Sequence, residues 1–185
     1  MKAWSSDEEL FALMEKELFT CVVGDVMDKL SLVHQYLPPQ IQPLQNDMIL
    51  TGRAMTVLAG DVFEEVSSGS ADAAMRQPFG LMFRALDDLH KNEIYVSSGA
   101  SPRSANWGEM MATRARYLGA RGAVLNGYYR DTRGLLRMNF PTFGFGSYGQ
   151  DSGPRKYEDS HHERRIQSLS RPGDLLARRV SGSSS

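Results

Sequence analysis

Two short runs of this chain carry residue types suited to chemistry on a small oxyacid: Gly108-Glu109-Met110-Met111 and, farther along, Arg130-Asp131. A helix opening at Gly108 would aim free backbone N–H groups at an anion, and the missing side chain would let a ligand approach the main chain. Arg130 offers a planar, permanently charged fork for a carboxylate or a developing enolate oxygen. Asp131 is a hard oxygen ligand for a divalent cation. Taken alone, an Arg-Asp pair is most often a surface ion pair of little energetic worth. Its chemistry therefore depends on the elements that place it.

Those elements are legible between Ser104 and Asp131. Asn106 and Glu109 have capping-box spacing, which predicts a helix opening near Gly108 with Met111, Ala115 and Leu118 on one face. Gly119 and Gly122 stop that helix. Ala123, Val124 and Leu125 form a short apolar run of the kind buried in a sheet, and Asn126-Gly127 bends the chain toward Arg130 and Asp131.

Around this stretch the pattern alternates. An amphipathic helix with Leu10, Phe11, Met14 and Leu18 opens the chain after Ser5 or Ser6, and a second, Thr20 to Leu30, sets Val23, Val26, Met27 and Leu30 on an apolar face. His34 to Pro43 is a loop and Leu50 to Leu58 a strand covered on both faces. An exposed segment is expected over 62–75, then a helix (Phe79–Leu89) and a strand (Glu93–Val96). Gly134–Met138 reads as one helical turn and Pro141–Phe145 as a strand. The Gly-rich GFGSYGQDSGPR lacks a Walker lysine and is no phosphate loop. From Lys156 onward, charge and serine dominate, which argues for weak packing; the adjacent His161 and His162 point different ways in any regular element and make a poor metal pair.

Composition narrows the class. The chain has 185 residues, 41% hydrophobic, enough for one domain with a real core. With 21 basic and 22 acidic side chains there is no global electrostatic case for nucleic acid or an anionic membrane. The single cysteine, Cys21, excludes an intrachain disulfide and suits a reducing compartment. No apolar run reaches membrane-spanning length, and the expectation is a soluble cytoplasmic protein.

The run WGEMMATRARYLGARGAVLNGYYRD resembles the signature of the RraA-like family, which includes the 4-hydroxy-4-methyl-2-oxoglutarate (HMG/CHA) aldolases and is named for a regulator of RNase E activity. TCVVGDVMDKL, LTGRAMTV and FPTFGFGSYGQDSGPR resemble further family segments in the same order. The resemblance implies an α/β chain with a layered β/β/α swivelling-domain fold over residues 1–155, followed by an atypical segment over 156–185, and a homotrimer or hexamer with the site between subunits. It implies that Gly108, Glu109, Met110, Met111 and Arg130 bind substrate, that Arg130 is catalytic and that Asp131 holds a divalent cation, Mg²⁺ or Mn²⁺. Two departures stand out. Family enzymes usually carry an acid where this chain has Gly134, and the last family strand is missing or replaced after Arg171-Pro172-Gly173-Asp174-Leu175-Leu176.

Two functions of different class follow from the resemblance. One is a metal-dependent lyase, a class II pyruvate aldolase that cleaves 4-hydroxy-2-oxoacids to pyruvate or decarboxylates oxaloacetate. Its general base is unassigned; Glu109 is a candidate by position and a capping-box partner by spacing. The other is a non-catalytic binding protein that docks on an RNase E-like partner. Retention of Gly108, Arg130 and Asp131 places the enzyme first.

Overall fold

Alternation within the apolar runs decides which way each strand faces. The computed structural model describes residues 4–59, 80–151 and 175–177. In β3 (Glu93–Ser98), Tyr95 enters one core while Ile94 and Val96 enter another; in β4 (Gly122–Leu125), Ala123 and Leu125 take the first side and Val124 the second. Side chains of period two on a sheet buried on both faces give this division.

The sheet has six strands in the order β1-β5-β4-β3-β2-β6, where β1 is Gln42–Pro43, β2 Leu50–Leu58, β5 Thr142–Gly144 and β6 Leu175–Ala177. The inner four run parallel and both edge strands are antiparallel to their neighbours. On the larger core side lie α3 (Gly80–Asp87), α4 (Glu109–Tyr117) and α5 (Thr132–Met138), contributing Met82, Leu86, Met111, Ala112, Ala115 and Leu135. On the other, Met48, Leu50, Ile94, Val124 and Phe143 pack together.

At the start of the chain α1 (Asp7–Glu17) is capped by Ser6, whose hydroxyl accepts the Glu9 N–H at 3.2 Å. Its Leu10 and Phe11 are buried, and the Arg121 guanidinium sits 5.1 Å over the Phe11 ring. The same arginine pairs with Glu15 and donates to the Thr51 carbonyl, so α1 is locked against the entrances of β2 and β4.

The apolar face of α2 (Thr20–Lys29) is left largely uncovered by the described residues: Val26 and Leu30 are exposed and Gly24 is the helix's one buried residue. Two expectations need revision. Strand β2 is buried at Leu50, Thr51 and Gly52 but exposed at Arg53 and Ala54, because Arg53 turns outward to meet Asp7 at 2.8 Å. The final strand is present in short form, since Leu175–Ala177 pairs antiparallel with Leu50–Gly52 and covers that part of the β2 edge. The segment expected over 62–75 and the His161-His162 pair lie outside the described residues. No helix among the described residues is long and apolar enough to cross a membrane.

Candidate active site at the Gly108 helix start

Trp107 anchors the site from below. Its ring is buried between Tyr95 and Phe140, with centroid separations of 4.9 and 6.2 Å. Its carbonyl accepts the Arg130 N–H at 2.9 Å, while the Asn106 N–H donates to the Tyr128 carbonyl at 3.1 Å. Ala105 forms parallel bridges to Tyr128 and to Asp151, and Tyr129 bridges Ser147. Three segments beyond the sheet proper are thereby held side by side, and they bring Gly108, Arg130, Asp131 and Asp151 together.

Helix α4 begins where the sequence predicts, but it is capped differently. Gly108 is the N-cap residue and supplies no side-chain bond. The Glu109 N–H instead donates to Asp131 Oδ2 at 3.1 Å, across 22 residues of chain. The predicted Asn106–Glu109 capping box therefore yields to a cap from Asp131, a stronger acceptor whose negative charge also favours the positive end of the helix. The first helical N–H bond is Ala112 to Gly108 at 3.0 Å. A helix's first N–H groups have no acceptor within it, so those of Met110 and Met111 stay directed out of the helix start.

Gly108 is required by closeness. A Cβ there would stand 2.6 Å from Asp131 Oδ2 and 3.2 Å from Arg130 Cγ, so any larger residue would push both side chains off the helix start. Asp131 adopts a left-handed backbone, φ 55° and ψ 36°, a conformation that aspartate tolerates better than most residues but that still carries strain. That turn sends the backbone into α5, while the carboxylate faces back to α4 and lies 3.5 Å from Arg130 Nε.

Of the sequence-predicted residues, Gly108, Arg130 and Asp131 converge, and the other three divide. Met110 is 76% exposed, whereas Met111 is in the core at 6%, so of Met111 only the main chain is available at the helix start. Glu109 turns its side chain toward α5, where Arg137 holds Oε1 at 3.3 Å. It fills the space above Gly134: a Cβ at 134 would overlap the Glu109 carboxyl group. A carboxylate from the other helix thus occupies the space that Gly134 leaves open.

One residue escaped the sequence reading. Asp151 Oδ2 lies 2.9 Å from Arg130 Nη1. The segment around it was noted for its resemblance, but nothing in composition or spacing linked an acid so far along the chain to Arg130; the bridge to Ala105 makes that link.

A cation here would rest on one carboxylate. Among the described residues no group of three or more His, Cys, Asp or Glu side chains could hold a metal ion. Asp131 is half-exposed and only its Oδ2 is engaged by protein groups, which fits a hard, water-rich cation such as Mg²⁺ and not a closed multi-ligand site. An open groove of about 600 Å³ lined by Lys91, Asn92, Tyr117, Leu118 and Arg121 lies at the far end of α4 and takes no part in this constellation.

The comparisons agree with the fold. Among solved structures, the chain is similar to one described with novel cellulases from microbes associated with the gut ecosystem (24% identity, 96% of this chain and 73% of that chain, TM-score 0.70). It is also similar to Streptomyces coelicolor RraAS2, described as an unusual member of the RNase ES inhibitor RraA protein family (17% identity, 83% and 71% covered, TM-score 0.65). A third is the RNA-processing inhibitor RraA from Thermus thermophilis (22% identity, 88% of each chain, TM-score 0.57). No curated protein gives a significant match. The family model RraA-like (Aldolase/RraA) matches residues 20–177. That match covers most of the chain and runs past Arg155 through strand β6, and the chain belongs to the RraA-like family.

Proposed function

We propose that this chain is a divalent-metal-dependent lyase acting on 4-hydroxy-2-oxoacids, and on oxaloacetate by decarboxylation, through a pyruvate enolate. The observation that supports it is the convergence of the Arg130 guanidinium, the Asp131 carboxylate and the outward N–H groups of Met110 and Met111 at a helix start kept clear by Gly108. In the retro-aldol direction the 4-hydroxyl gives up its proton, the C3–C4 bond breaks, and its electron pair moves onto the C2 oxygen as the enolate. Protonation at C3 completes pyruvate, and oxaloacetate reaches the same enolate by losing CO₂. Arg130 donates to the oxygen where charge develops, and the helix start binds the substrate carboxylate. Asp131 would hold Mg²⁺ or Mn²⁺, which would supply Lewis-acid chemistry to this reaction. Glu109, half-exposed and held by Arg137 beside this site, is the acid–base candidate.

Apolar residues on and beside α2 that the described residues leave exposed, Phe19, Val26, Leu30, Val33 and Tyr36, support assembly with other chains in a cytoplasmic homotrimer or hexamer. The same surface is the observation that favours the second reading, a non-catalytic regulator docking on a ribonuclease. A coupled assay of pyruvate release from oxaloacetate and from a 4-hydroxy-2-oxoacid, with and without Mg²⁺, separates the two. Metal-stimulated release supports the lyase; its absence from a folded protein that binds an RNase E-type scaffold supports the regulator.

A further inference from the structure

Arg130 is held from two sides: Nε faces Asp131 Oδ2 at 3.5 Å, and Nη1 faces Asp151 Oδ2 at 2.9 Å. Two contacts on different nitrogens fix the plane of a guanidinium, where one would leave it free to swing. The backbone at Asp151 is itself held in place, since the buried Ala105 donates its N–H to the Gln150 carbonyl at 2.7 Å and bridges Asp151 in parallel register. Among the described residues the ion pairs of Arg130 use Nε and Nη1 and leave its Nη2 edge without a protein partner.

We infer that Asp151 is a positioning residue that orients Arg130, so that its Nη2 edge and the outer Nη1 N–H meet the substrate oxyanion. The inference rests on the lyase reading for its kinetic consequence, but the orientation of Arg130 stands apart from it. With side chains 35% and 43% exposed, the ion pair adds little to folding stability, so its loss acts on geometry.

The test compares Asp151→Ala and Asp151→Asn with the full-length wild type. Asp151→Ala is expected to lower kcat for oxaloacetate by about tenfold or more, as a mispositioned catalytic group does. KM should change by much less. Asp151→Asn, which keeps an acceptor oxygen, is expected to restore most of the loss. Independently of activity, the Arg130 Nε–H resonance, assigned by its absence in Arg130→Lys, should be sharp in the wild type and Asp151→Asn and broadened or fast-exchanging in Asp151→Ala. Unchanged kcat with an unchanged resonance overturns the inference. So does a fall in KM at constant kcat, which would make Asp151 a competitor of the substrate. If the wild type releases no pyruvate, the lyase reading fails and the resonance alone decides the positioning role. Should Asp151→Ala fail to fold, Asp151→Ser carries the same comparison.

Discussion

Gly134→Ala separates what the Gly134–Glu109 packing does for stability from what it does for chemistry. Gly134 is buried in the first turns of α5 with helical backbone, so alanine would gain about 0.5–1 kcal/mol from its lower conformational entropy in the unfolded chain. Against this, its Cβ would overlap the Glu109 carboxyl group, the movable end of a long side chain. The carboxylate must swing away from Arg137, and with side chains 41% and 67% exposed that pair is worth roughly 0.2–1 kcal/mol. The terms nearly cancel. The melting temperature should stay within about 3 °C of wild type, while pyruvate release falls about tenfold or more if the Glu109 carboxylate serves the reaction from this position. A thermal melt and a coupled pyruvate assay on the same preparation read both. A loss of more than about 2 kcal/mol would show that the backbone yields and not the side chain. Full activity at wild-type stability would refute the role given to Glu109.

The other expectations are simpler. Arg130→Lys should lose about 10²-fold or more in kcat/KM despite keeping the charge, because an ammonium cannot make both contacts of the fork; near-normal kinetics would show that charge alone suffices. Gly122→Ala should destabilise by about 1–3 kcal/mol, since its Cβ would stand 2.6 Å from both the Pro141 carbonyl oxygen and Leu50 Cδ1, and a denaturant melt checks this. Stability should decline as pH falls from the ordinary carboxylate range toward 2. Hydrogen bonds from Lys91 and Asn92 hold Glu8 down to about 2, and the hydrogen bond from Arg53 lowers Asp7. Both take up protons more readily unfolded than folded, so their contribution is full above the unfolded pKa and is lost in acid. Lys91→Ala should flatten that decline, and an unchanged acid profile would remove the assignment.

Much of the site was legible because its parts are local. The helix start at Gly108, the stop at Gly119, the buried run Ala123–Leu125 and the pair at 130 and 131 are set by glycine placement and short apolar periods. What escaped was nonlocal. The α4 cap comes from Asp131, not from within its own turn; Glu109 occupies the space opened by Gly134; and Asp151 reaches Arg130 through pairing at Ala105. None of these leaves a periodic trace. The end of the chain shows the same limit: charge and serine around Leu175-Leu176 suggested a lost strand, yet backbone pairing to Leu50–Gly52 needs no long apolar run. On α2 the helix and its apolar face were legible, but periodicity marks such a face without saying what covers it.

Asp131→Asn probes the proposal that one carboxylate both caps α4 and, alone among the described side chains, would hold a catalytic cation. Asparagine tolerates the left-handed backbone and keeps an acceptor oxygen for the Glu109 N–H, so the fold should survive with a melting temperature close to wild type. Pyruvate release from oxaloacetate should be stimulated by Mg²⁺ and abolished by chelation in the wild type, and should fall to background in the folded variant at every Mg²⁺ concentration. Mg²⁺-stimulated turnover by folded Asp131→Asn would contradict the account.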